Sequence, residues 1–175
     1  TTVPIWIKDS PLWIKRLYLA GLFGAELTKP CQRKGEEKTF TEPSFSQNKI
    51  IALEQENKNF LLEICTLLQE FGININNIYK QTGIKNKYGE ETSKLAIRIS
   101  SRADNLIRLW GTIGYEYCTQ RKRESMLAVA YLKRKKVYLN QAMEFLKEGT
   151  KLIEMGHSYR DVFALAVDEG FSGSM

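Results

Sequence analysis

The residues best placed to do chemistry lie in one short helical run, Leu19-Ala20-Gly21-Leu22-Phe23-Gly24-Ala25-Glu26. Ala20 and Gly24 are one helical turn apart, as are Gly21 and Ala25, so small residues line one side of the helix. Two glycines in a helix interior cost on the order of 1 kcal/mol each relative to alanine. Close backbone approach of a second helix is the usual compensation for such spacing. Glu26 falls in the last turn, where the negative end of the helix dipole disfavours a carboxylate. A bound cation reverses that penalty, which makes Glu26 a candidate metal ligand. A solvated surface glutamate is the plainer alternative.

A second constellation lies at residues 93–100, where Leu95, Ile97 and Ile99 alternate with Lys94, Ala96, Arg98 and Ser100. This is the period of a half-buried strand with one apolar and one basic face. Such a face suits a negatively charged partner. The elements that must position both constellations follow from the rest of the chain. Ser10-Pro11 reads as an N-cap and first helical residue for a helix over 12–27 that Pro30 ends. Residues 31–43 are polar and read as strand and loop, and 44–50 as a short strand. A helical pattern spans 53–71 and closes at Gly72. Residues 73–85 read as a strand turning near Asn86 and Gly89 into the strand at 93–100. Helices follow at 103–113 and from 119 through the 130s, then a long helix to about 155, a break at Gly156 and a short helix from Ser158. The expected class is α+β: a four-stranded antiparallel sheet with helices on one face, followed by a helical tail.

Charge supports a polyanionic partner. The chain of 175 residues carries a net charge of +6, unevenly distributed. Residues 1–136 hold 23 Lys and Arg against 14 Asp and Glu, while residues 137–175 hold 3 against 6. The basic property therefore belongs to the first part of the chain. With 43% hydrophobic and 26% charged residues the composition is that of a globular chain, not a disordered one. No apolar stretch approaches the roughly 20 residues of a membrane span, so no membrane partner is expected. The start lacks the basic region of a signal peptide. Cys31, Cys65 and Cys118 are too irregularly spaced for a disulfide framework. A cytoplasmic, nucleoid-associated location is the expectation.

Residues 19–27 resemble the signature nonapeptide of the LAGLIDADG homing endonucleases, especially those within archaeal inteins. The run Leu106-Ile-Arg-Leu-Trp-Gly-Thr-Ile-Gly-Tyr-Glu-Tyr117, with Arg121-Lys122-Arg123 after it, is similar to the closing segment of one repeat in that family. The resemblance covers about residues 11–137, and the element order agrees with the family's αββαββα unit, leaving 138–175 as a helical tail. That tail looks like part of a helix-turn-helix.

The resemblance implies a site-specific double-stranded DNA endonuclease whose sheet forms a saddle over DNA. Two signature helices would pack through Ala20, Gly21, Gly24 and Ala25. Glu26 and the Ala25 carbonyl would bind Mg²⁺ (or Mn²⁺), and the metal would assist phosphodiester hydrolysis. Oxygen-rich coordination suits Mg²⁺ better than zinc, for which the chain offers one histidine and no clustered thiols. Gln47 would position water and Arg102 would complete the catalytic pocket. Arg33, Lys34, Ser46, Lys80, Lys85, Lys87, Lys94 and Arg98 would face DNA, with base readout from the strands and phosphate contacts from the basic residues. Gly24 and Leu27 depart from the family's usual acid and final glycine. One signature helix is present, which implies a homodimer, half of a two-repeat enzyme, or a chain without cleavage. A catalytically inactive DNA-binding module on the same fold is the alternative.

Overall fold

The computed structural model describes residues 2–81 and 85–171. The chain divides into two compact units, Thr1–Ala130 and Tyr131–Met175.

The first unit opens with a short helix, α1 (Ile5–Lys8), followed by α2 (Leu12–Glu26). The expected cap is shifted by one residue: Pro11 holds the N-cap position of α2. Ser10 instead donates its Oγ hydroxyl to the Ile7 carbonyl at 2.7 Å and finishes α1, because that preceding turn leaves a carbonyl to be satisfied. At the other end Leu27 leaves α2 in extended conformation and bridges Phe45.

The strands are β1 (Gln32–Arg33), β2 (Glu36–Phe40), β3 (Ser44–Ile50), β4 (Ile75–Gln81) and β5 (Thr92–Ile99). They form two antiparallel sheets, a β1-β2 ribbon and a three-stranded sheet of order β3-β5-β4. The chain is therefore α+β, and the expected four-stranded sheet is resolved into three strands and a separate ribbon. The residues that read as strand and loop turn back on themselves at Gly35, where φ is +81°, and pair with each other. The expected strand over 73–85 is shorter: β4 ends at Gln81, residues 82–84 lie outside the described residues, and Lys85 makes only an isolated bridge to Glu91.

Helix α3 (Glu54–Glu70) covers one side of the sheet, burying Phe60, Leu61, Ile64, Leu67 and Leu68. These residues share a core with Phe23 of α2, Phe45 of β3 and the Leu95, Ile97, Ile99 face of β5. Lys15, nearly buried, ties α2 to α3 through Glu70 at 2.7 Å. Helix α4 (Ala103–Arg108) widens into a π-turn at Leu109–Ile113, closed by the Gly114 N–H on the Leu109 carbonyl at 2.9 Å. Gly114, at φ +69°, then sends residues 114–118 across α2.

Helix α5 (Thr119–Glu154) is one continuous element where two were expected. Its residues up to Ala130 belong to the first unit and bury Ser125, Ala128 and Val129. In the second unit α5 ends before Gly156, at φ +98°. Helix α6 (Tyr159–Asp168) then begins with Ser158 as N-cap, its Oγ accepting from the Asp161 N–H at 3.2 Å. Residues 172–175, the end of the sequence, lie outside the described residues. No helix among the described residues is long and apolar enough to cross a membrane.

Candidate functional site

Strand register decides which side chains share a surface. Residues directly opposite in an antiparallel pair lie on one face, and Arg98 is opposite both Ser44 and Asn77. Ala96 is opposite Ser46 and Tyr79, and Lys94 opposite Asn48 and Gln81. These nine residues form the side of the sheet away from α3. Around the small, buried Ala96 they bring together two cations and six other hydrogen-bonding side chains.

Arg98 is the centre of this face. Its guanidinium lies 4.5 Å from the centroid of the Tyr79 ring, a cation–π stack that fixes its plane. Its Nε meets Glu42 at 3.2 Å, with its side chain still 42% exposed. Glu42 in turn accepts from Asn76 Nδ2 at 2.5 Å. The Tyr79 hydroxyl is held below its ordinary pKa, first by a hydrogen bond from Ser44, then by Arg98 and Lys94 nearby, with burial opposing. Lys94 has no ion-pair partner among the described residues. The face can thus present one oriented guanidinium, one loose ammonium and neutral donors to phosphate oxygens.

Register also separates residues that the sequence reading had grouped. Ser46, Lys94 and Arg98 lie on this face as expected. Lys80 is opposite Leu95, on the helix side, and is held by Glu54 at 2.8 Å. Gln47 is likewise opposite Leu95. Its carbonyl accepts from Asn57 Nδ2 at 3.4 Å, and its buried Oε1 has no partner among the described residues. Gln47 is therefore turned toward α3, away from the polar face. Arg33 and Lys34 are on or beside the exposed ribbon, with Arg33 3.5 Å from Glu36. Lys85 and Lys87 are exposed in the β4–β5 connection, Lys87 over the Tyr88 ring at 4.9 Å. Arg102 is exposed at the N-cap position of α4.

The small residues of α2 have an internal explanation. Ala20 is fully buried and its carbonyl accepts from the Glu116 N–H at 3.0 Å. A Cβ on Gly24 would overlap the Glu116 carbonyl oxygen. A Cβ on Gly21 would lie at an ordinary 3.7 Å from the Tyr117 ring. The expected helix–helix approach at Ala20 and Gly24 is thus taken by the chain's own 114–118 segment, while Ala25 is exposed. Tyr115 pins that segment by donating its hydroxyl to the Thr28 carbonyl at 2.6 Å, and burial pushes its pKa up.

The end of α2 has a resident cation. Arg121 Nη1 donates toward the carbonyls of Phe23, Ala25 and Leu27 at 3.3, 3.1 and 2.7 Å. A guanidinium there offsets the helix dipole and satisfies C-terminal carbonyls. The Ala25 carbonyl, expected as a metal ligand, is engaged by Arg121. Glu26 is exposed, without an ion pair among the described residues. No three His, Cys, Asp or Glu side chains gather among the described residues. Glu26 is thus a lone carboxylate, fewer oxygen ligands than a divalent cation takes.

No protein-family model matches the chain, and no solved structure matches. Curated relatives do. A tRNA-splicing ligase RtcB of Pyrococcus furiosus is 34% identical over 87% of this chain and 14% of its own length. One of Methanopyrus kandleri is 38% identical over 76% of the chain and 12% of its own length. A DNA-directed RNA polymerase subunit Rpo1N of Methanocaldococcus jannaschii is 32% identical over 86% of the chain and 11% of its own length. The chain spans about one-seventh of the length of the first of these relatives.

These names correct the sequence-derived expectation of a DNA endonuclease. The relatives are named for tRNA splicing and RNA synthesis, and none of those found is named as a LAGLIDADG protein, a homing endonuclease, an intein, a nuclease or another hydrolase. Of the features that carried the resemblance (the nonapeptide, the closing segment at 106–117 and the element order), the nonapeptide has two small residues, Ala20 and Gly24, set against the chain's own backbone at Glu116, and its acid stands alone. The matched stretch recurs in proteins of two different named activities, so the likeness belongs to a segment of each relative.

Proposed function

We propose that this chain is a nucleic-acid-binding module carried within larger proteins, and that the polar face of the β3-β5-β4 sheet contacts the phosphate backbone. The observation that carries the reading is the placement of Lys94 and Arg98 on the central strand, bordered by serine, asparagine, glutamine and tyrosine side chains. The excess of positive charge in residues 1–130, 19 Lys and Arg against 14 Asp and Glu, supports it. So do the names of the relatives, which concern tRNA splicing and RNA synthesis; RNA is therefore the polymer proposed. The module extends over about residues 11–137, with the remainder of α5 and α6 as a tail of separate use. Where a divalent cation (Mg²⁺ or Mn²⁺) takes part, Glu26 would be its carboxylate ligand and water would complete its oxygen shell.

Fluorescence anisotropy with a labelled RNA hairpin tests the proposal. Affinity is expected to fall steeply as salt rises, because each neutralised phosphate releases counterions. The double change Lys94→Ala and Arg98→Ala is expected to lower affinity roughly tenfold and to reduce the salt slope by about two. Lys80→Ala, on the opposite face, serves as the control and leaves both quantities nearly unchanged. A flat salt response, or equal losses from both faces, would overturn the reading.

A further inference from the structure

In the second unit, α5 and α6 enclose an apolar groove of about 620 Å³ that includes Ala142, Leu146, Gly149, Ile153, Val162 and Phe163. Gly149 sets the close approach of the two helices, since a Cβ there would stand 2.9 Å from Val162 Cγ1. The groove is not filled by the residues that line it: Leu146 is 63% exposed and Phe163 59%. Phe145 and Phe171, rings 5.4 Å apart, close one side. The same two residues line an adjoining concavity with Glu144, Glu148 and Glu169. Glu144 and Glu148 are one turn apart on α5, so their carboxylates stack along one edge.

From this arrangement we infer that the second unit is a docking site for a basic amphipathic helix of a protein partner. Its apolar face would lie in the groove and its Lys or Arg residues would meet the carboxylate rim. The occupant follows from charge complementarity. A greasy trough with acids along its edge selects an apolar stripe flanked by cations and repels both acidic helices and nucleic acid. The acidic character is local to the groove: residues 137–175 hold 3 Lys and Arg against 6 Asp and Glu, while Lys133, Arg134, Lys135 and Lys136 at the start of the unit lie outside the groove's lining. This assignment is independent of the nucleic-acid reading of the first unit.

The test uses the full chain and two synthetic amphipathic helices with leucine at i, i+3, i+4 and i+7, one carrying lysine at its polar positions and one glutamate. Titration calorimetry is expected to show binding of the Leu/Lys helix and none of the Leu/Glu helix. Phe163→Lys and Leu146→Lys, both at exposed positions, are expected to weaken binding at least about tenfold while circular dichroism stays unchanged. The pair Glu144→Gln with Glu148→Gln is expected to cost about fivefold at low salt and little at high salt. Equal binding of both helices, or binding of neither, overturns the proposal. So does self-association of the unliganded chain that Leu146→Lys abolishes, which assigns the groove to a second copy.

Discussion

In the first unit the apolar side chains of α2 and α3 that face the sheet, among them Leu19, Phe23, Leu61, Ile64 and Leu68, are withdrawn from solvent almost completely, while Leu12, Trp13 and Leu62 on the same helices stay about half exposed or more. In the second unit Val137, Leu146, Phe163 and Leu165 sit on helices too, yet remain roughly half exposed or more. Leu132 is the buried apolar residue of that unit among the described ones. The contrast lies in what each helix has to lean on. Helix α3 has the apolar side of a sheet, with Phe45, Leu95, Ile97 and Ile99 presented at strand period. Helix α6 has one neighbouring helix within its own unit, and two helices make a groove before they make a core. Full burial of such a side chain is worth roughly 2 kcal/mol. The first unit collects that gain many times over, whereas the second leaves much of it for an added surface.

The contrast can be broken or sharpened by substitution. The largest effect is expected from Gly24→Ala, which drives a methyl into the Glu116 carbonyl. Urea denaturation should show a loss of about 3 kcal/mol, from overpacking against backbone that cannot rotate away. Arg121→Ala should cost about 2 kcal/mol, because three helix-end carbonyls lose a charged donor. A loss below the noise of the same titration would remove Arg121 from the account of how α2 ends. Gly21→Ala, one turn before the Gly24 site and facing an ordinary 3.7 Å contact, should gain up to about 1 kcal/mol from helix propensity. Opposite signs at two glycines of one helix would show that a single face carries the close packing.

Two smaller effects complete the series. Phe163→Ala in the second unit should change the unfolding free energy by less than about 0.5 kcal/mol, as at an ordinary surface position. A core-sized loss would mean that the second unit buries what it here exposes. Stability of the first unit should also fall with acid. The Glu116 carboxyl is held below its ordinary value of 4.5, chiefly by Lys122 and then by Arg16. Glu54 is held below it chiefly by Lys80. A carboxyl whose folded pKa is depressed contributes stability above its unfolded value, and that stability is lost as pH falls through the folded one. Thermal melts between pH 6 and pH 3 (about the span in which such carboxyls titrate) should show a decline that Glu116→Gln reduces.

Short-range patterns carried well. Alternation at residues 93–100 identified β5, its apolar face and the outward placement of Lys94 and Arg98. Periodicity found α3, and Gly156 with Ser158 marked the turn into α6. Lys80 was a partner-facing candidate through the family resemblance, not through alternation, and the register sets it opposite Leu95 on the helix side. A signal was present: Ile75 and Ile78 are three apart, which strict alternation forbids, and the register of β4 against β5 shifts between Ile75 and Asn77. Gln47, a candidate through the same resemblance, lies opposite Leu95 on the α3 side, and a polar side chain on a short strand does not announce which face it occupies. Tyr79, which stacks on Arg98, passed unnoticed because the two residues are nineteen apart in sequence.

The α2 nonapeptide shows where local reading ends. Its spacing required a close neighbour for Ala20 and Gly24, and that requirement holds. Which neighbour fills it is a long-range fact: the answer is the backbone at Glu116, delivered by a π-turn and a left-handed glycine some ninety residues later. Residue types and periods act over one turn or one strand pair, so element identity, solvent-facing parity and charge distribution were legible from them. Sheet order, the split into two sheets, Arg121 as the cation at the end of α2 and the open groove between α5 and α6 were not. Each depends on contacts between distant parts of the chain that form only when its packing surfaces meet.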